Sequence, residues 1–149
     1  MRIRQEIGHS LVKALRSVPG FSALGDRDLL QIVGVSVNLH WPTGAMVFEE
    51  GAPAEALYIV LSGRIQIFQT DENNETDVAV IGSGEFFGEF SLLRDETHSK
   101  HARAIEDSEL MIIPKGSFQR LLAYDPVLAD HVSDTMKERL RANDSVRTG

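Results

Sequence analysis

The apolar positions change their period along the chain. Ile3, Ile7, Leu11, Ala14, Leu15 and Val18 recur at helical spacing, which predicts an amphipathic helix over residues 3–17 that Pro19-Gly20 stops. Phe21 and Leu24 then lead to Gly25-Asp26, with Asp26 a candidate N-cap for a second helix carrying Leu29, Leu30, Ile32 and Val33. From Val35 the period falls to two: Val35, Val37, Leu39 and Trp41 share one face, and Ser36, Asn38 and His40 the other. Strand-like runs follow at Met46–Glu49, Leu57–Leu61, Arg64–Gln69, Asp77–Ile81, Ala102–Ile105 and Glu109–Ile113. Between them Thr43-Gly44, Gly51, Ser62-Gly63, Asn73-Asn74 and Gly82-Ser83-Gly84 supply turn chemistry. Several short strands at close spacing predict a closed sandwich or barrel.

Helical spacing returns after the strands. Pro114–Ala123 is predicted as a short helix carrying Phe118, Leu121 and Leu122. A second begins at Asp125-Pro126, where Asp can cap and Pro suits the first helical position. Its apolar residues Leu128, Val132, Met136 and Leu140 recur every fourth position, as on a packed surface helix, a mobile lid or a dimer helix. The expected division is a helical segment over 1–34, a barrel over 35–113, C-terminal helices over 114–142 and a polar tail over 143–149.

Composition narrows the class. The chain has 149 residues and is 42% apolar, enough for one domain with an ordinary core. It has no cysteine, which excludes disulfides and thiolate metal sites and is compatible with a cytoplasmic location. No apolar run approaches a membrane span, and Gln5, Glu6, Gly8, His9 and Ser10 break any signal-like stretch behind Arg2 and Arg4. A formal charge of −7 argues against a dedicated nucleic-acid-binding surface. No Ser-His-Asp order, P-loop or paired carboxylate stands out, so no enzymatic activity is expected.

Alternation fails between Gly88 and Leu93 and resumes near Ala102. The turn over residues 86–102 therefore reads as strand, one turn of helix, loop and strand, and the free N–H groups at the start of such a helix can hold an anion. The sequence F-G-E-F-S-L-L over residues 87–93, followed by a polar loop, resembles the phosphate-binding cassette of cyclic nucleotide-binding domains. Gly51, Leu57-Tyr58-Ile59-Val60, Gly63 and the alternating run Arg64–Gln69 extend the resemblance over roughly residues 10–140. It implies a mainly β fold, an eight-stranded jelly roll flanked by helices, acting as a regulatory sensor whose C-terminal helices move with the ligand.

The resemblance also assigns roles. Glu89 would accept a ribose hydroxyl, and the N–H groups of Gly88, Phe90, Ser91 and Ser99 would surround the phosphate of cAMP or cGMP, with no resident cofactor. Phe86 and Phe87 read as core aromatics. Counted gaplessly from Phe87-Gly88-Glu89, the family's phosphate-gripping arginine falls on His98, its following small residue on Lys100 and its Thr or Ser on His101. At an ordinary pKa near 6.5 only roughly a quarter of such a histidine is charged at pH 7. Weakened or altered nucleotide binding is expected, with Lys100 or Arg103 as partial substitutes unless the strand register turns Arg103 away. Alternatively His98 is a surface loop residue of a decayed pocket, and the domain serves protein–protein contact. A cupin-like metal site on His98, His101 and Glu89 is a third reading. The implied partners are a cyclic nucleotide or other small anion and a partner protein or output domain, with a homodimer as a further arrangement. A DNA-binding region of the Crp type would need several tens of residues beyond the long helix.

Overall fold

The structure is a computed structural model that describes residues 11–18, 21, 24–88, 92, 96–127, 129–130, 133–134 and 137–138. Helix α1 is described over 11–16, and α2 spans Asp26–Val35. Eight strands follow among the described residues: β1 Val37–Trp41, β2 Met46–Phe48, β3 Ala56–Ser62, β4 Arg64–Asp71, β5 Asn74–Gly82, β6 Phe86–Phe87, β7 His101–Ala104 and β8 Ser108–Pro114. Helix α3 covers Lys115–Tyr124, and the chain is helical again from Pro126. The strands form two four-stranded antiparallel sheets, β1-β8-β3-β6 and β2-β7-β4-β5, the arrangement of a jelly roll with flanking helices.

Strand alternation divides the core in two. On the outer face of the first sheet, Leu57, Ile59, Phe86, Met111 and Ile113 pack with Leu15, Leu29, Ile32 and Phe118 of the helices. The intervening residues Val60, Phe87 and Leu110 face the second sheet and meet Ile65, Ile81, Ala102 and Ala104. Adjacent Phe86 and Phe87 thus serve opposite faces, as a two-residue period requires. Gly63 closes β3 onto β4 at φ 93°, and a Cβ there would lie 2.2 Å from Ser108 Oγ and 2.6 Å from the Asp107 carbonyl oxygen.

Several expectations are corrected. Gly25, not Asp26, is the α2 N-cap; Asp26 is the first helical residue and its carboxylate pairs with Arg16. Val35 ends α2 instead of opening β1. Val37 and Leu39 are 51% and 46% exposed, and among the described residues β1 pairs with β8 alone. β5 starts at Asn74, so the hairpin turn lies on Glu72 and Asn73, with Glu72 at φ 53°. The Asp125 cap is present, its Oδ1 accepting from the Val127 N–H at 3.1 Å.

Candidate ligand site

The cassette-like turn leaves β6 at Gly88, which adopts φ 88°, a left-handed conformation that disfavours any side chain. A Cβ at this position would lie 3.1 Å from the Tyr58 ring and 3.5 Å from the Ala56 carbonyl oxygen, so the turn is pressed against β3. Tyr58 pairs in register with Phe87, and their rings stack at 5.1 Å and 13°. Burial, and secondarily the Glu55 carboxylate, push the Tyr58 phenol above its usual range.

The other end of the turn returns to the same aromatic cluster. Thr97 bridges Pro53, the His98 N–H donates to the Ala52 carbonyl at 2.9 Å, and the Gly51 N–H donates to the His98 carbonyl at 2.8 Å. These bonds fix the His98 backbone beside the β2–β3 connection. Its imidazole lies flat on Phe48, with centroids 3.6 Å apart and planes within 3°, and Phe48 in turn neighbours Tyr58 at 5.7 Å and Phe87 at 5.9 Å. His98 is only 3% exposed, so the surface-loop reading fails. Its Nε2 is sealed from solvent without a hydrogen-bond partner among the described residues. Desolvation holds the imidazole below the usual histidine range, favouring the neutral ring.

The remaining candidates divide by place. Ser99 is exposed and Lys100 half-buried and engaged in an interaction of its own, while Glu89, Phe90 and Ser91 lie outside the described residues, as does most of the expected helical turn. β7 sends Ala102 and Ala104 to the interior and His101 and Arg103 to the outer face. There the His101 Nδ1 accepts from the Glu50 N–H at 3.2 Å, which leaves the hydrogen of the neutral ring on Nε2, 3.1 Å from Thr70 Oγ1. The ring also stacks on Phe68 at 5.0 Å. Arg103 covers that same phenyl ring at 4.4 Å and grips Glu75 with Nη1 at 3.2 Å and Nη2 at 2.9 Å. Its Nη2 also donates to Gln66 Oε1 at 2.7 Å. The hydrogen bonds from Arg103 hold the Glu75 carboxyl below the usual carboxylate range. The register therefore removes Arg103 as a substitute cation beside His98. His98 stacks on Phe48 and His101 on Phe68, and among the described residues no group of three or more His, Asp or Glu gathers as a metal site needs.

Phe48 carries the histidine and was not singled out from the sequence. Fifty positions separate the two, and the only sequence signal is an aromatic at the end of a predicted strand, β2, which pairs with β7.

A left-handed glycine turn and a returning loop converge on one aromatic cluster inside a jelly roll. The model of the cyclic nucleotide-binding domain matches residues 38–125, well over half of the chain, and the chain belongs to that family. It is 35% identical over 131 residues to the cyclic AMP receptor protein of Thermus thermophilus, a match covering 87% of this chain and 61% of that protein. The crystal structure of the Thermus thermophilus catabolite activator protein matches with a TM-score of 0.78 at 30% identity, over 87% of this chain and 62% of that one. The sensor domain of the transcriptional regulator DNR from Pseudomonas aeruginosa matches with a TM-score of 0.82 at 25% identity, over 94% of this chain and 95% of that domain. The chain thus spans about three fifths of the length of the Thermus relative, 61% by the sequence match. No helix among the described residues is long and apolar enough to cross a membrane.

Proposed function

We propose that this domain is a regulatory, non-catalytic sensor module in which a small ligand in the 86–102 cassette biases the C-terminal helices, and in which cyclic-nucleotide affinity is weakened because His98 stands where the family has arginine. The observation that carries it is the His98 side chain: buried, stacked on Phe48 and unpartnered at Nε2. A guanidinium offers permanent charge and a planar fork to two phosphate oxygens, whereas neutral imidazole offers at most one N–H. One charge-assisted hydrogen bond is worth about 1.5–3 kcal/mol, so its loss weakens binding by roughly 10- to 100-fold or more. The ligand-contacting set on this reading is Gly88, Glu89, Phe90, Ser91, His98 and Ser99, with Lys100 and His101 in the returning loop. The roll over 35–113 is then the binding unit, and 114–142 the output element.

Helix movement has structural support. Helix α3 starts directly from β8, and the Lys115 N–H donates to the Glu55 carbonyl at 2.9 Å, so the start of α3 is tied to the approach to β3. A cleft of about 810 Å³ separates α2 from α3, between Ile32, Val35 and Gln31 on one side and Ser117, Leu121 and Tyr124 on the other, and gives α3 room to shift. The module would act in the cytoplasm, through an output domain or a partner protein. The exposed apolar residues Leu30, Val35, Val37 and Leu39 favour a second reading, in which this edge is a protein contact surface whether or not nucleotide binds.

Calorimetry with cAMP and cGMP tests the first reading. The wild type should bind weakly or not at all, and His98→Arg should gain at least tenfold. Tight wild-type binding, or no gain in a folded variant, contradicts it.

A further inference from the structure

We propose that the cleft between α2 and α3 is a second ligand site, separate from the cassette, that takes an apolar monocarboxylate whose head is held by Arg27 and Arg120. It goes beyond the sensor reading and does not depend on it.

Two cations stand unclaimed in this cleft. Among the described arginines, Arg16 pairs with Asp26, Arg64 with Glu106 and Arg103 with Glu75. Arg27 of α2 and Arg120 of α3 are the others, both exposed, and neither makes an ion pair, a hydrogen bond or a ring contact among the described residues. Both line the same cleft, from opposite walls. A chain of net charge −7 has carboxylates to spare, so two unpaired guanidiniums in one place mark a position for an anion from outside.

The body of the cleft is apolar. Ile32 and Val35 of α2, Ile113 of β8 and Leu121 of α3 line it, and the Tyr124 ring at the end of α3 is 86% exposed and free to cover a ligand. Its volume of about 810 Å³ falls within the range of roughly 300–1,000 Å³ of small-molecule sites, where apolar walls take the body of a ligand and a few polar groups orient it.

Charge selects the head group. Asp28 also lines the α2 wall, so two guanidiniums and one carboxylate leave the lining with a single net positive charge. A monoanion neutralises it, whereas a dianion would bring a charge with no partner and would meet Asp28. A carboxylate also matches the planar fork of a guanidinium.

The wall leaves room for such a ligand. A Cβ at Gly34, on the α2 side, would meet no atom within 4 Å. The cassette lies elsewhere: Ile113 packs in the outer core of the first sheet, whereas Tyr58, beside the Gly88 turn, packs against the inner one.

Calorimetry of the full chain with 2-naphthoate and decanoate, an aromatic and an aliphatic body on the same head, tests the proposal, with 2-naphthalenemethanol as the neutral counterpart. At least one carboxylate should bind saturably, and the tighter of the two identifies the body. The alcohol should bind about tenfold or more weaker, the ratio expected from one charge-assisted hydrogen bond. Arg27→Gln and Arg120→Gln should each weaken the carboxylate by a similar factor. Gly34→Leu, which adds a side chain at the open wall, should abolish binding. All three positions are exposed, and thermal unfolding checks that each variant is folded. No saturable binding of either carboxylate, equal binding of the alcohol, or binding indifferent to Gly34→Leu or to both arginine changes overturns the proposal. Sedimentation of the same proteins covers the other occupant: a wild-type dimer that Gly34→Leu dissociates would mean that a second copy fills the cleft, which also overturns it. None of these outcomes touches the sensor reading, because no cassette residue is altered.

Discussion

His98 is the residue at which burial acts on charge. In the free protein its pKa lies below the usual histidine value of about 6.5, because burial penalises the charged ring. The unfolded chain then holds the proton more tightly than the folded one. The stability this histidine contributes is complete above pH about 6.5 and is lost as pH falls through the depressed folded value. Thermal unfolding should show that loss between pH 7 and 5, and His98→Gln should reduce the slope; an unchanged slope would mean that other groups set it. Binding of an anion reverses the sign, since a bound phosphate favours imidazolium. Cyclic-nucleotide affinity should strengthen as pH falls from about 8, and should keep rising below 6.5 because the free ring titrates low. A flat profile in the wild type, or the same slope in His98→Gln, removes His98 as the phosphate contact. The sequence marked position 98 through its spacing from Gly88, but not its burial. That burial comes from Phe48 on β2, brought alongside by the β2–β7 pairing and invisible to any local pattern.

At the scale of elements, β3 and β8 were legible because both faces of each are covered, giving near-continuous apolar runs bounded by turns. At β1 only the start was misplaced, since Val35 ends α2. Alternation reports which residues share a face, but not whether anything covers that face, and Val37 and Leu39 are in contact with water. The α2 start was displaced by one residue because Asp26, a good cap by type, pairs with Arg16 while glycine takes the cap. The β3–β4 corner gives a sharp prediction. Gly63→Ala would force a side chain into the left-handed region and against Ser108 and the Asp107 carbonyl. The backbone term of about 1–2 kcal/mol and an overpacking term of about 1–3 kcal/mol sum to roughly 2–5 kcal/mol. Urea unfolding should show a lower midpoint at nearly constant m-value; a midpoint within error of wild type would mean that the corner relaxes freely.

For the molecule as a whole, a β sandwich or barrel between two helical regions followed from where the period switches between 3.6 and 2, and the jelly roll from the resemblance carried by the cassette. The ligand was less legible, since the burial of His98 depends on Phe48, fifty positions away in sequence. Coupling from cassette to helices is a claim about two states, so it needs a ligand that distinguishes them. Amide exchange should slow over residues 115–127 when cAMP binds the His98→Arg variant; protection confined to the roll would separate binding from helix movement. The central claim, that a buried neutral imidazole occupies the ligand-facing end of the cassette, is tested most directly by following the His98 ring resonances through a pH titration, with and without cAMP. A free-state pKa clearly below 6.5 that moves upward when the anion is added is the predicted result. A free-state pKa at the ordinary value that does not respond to saturating cAMP would contradict the account.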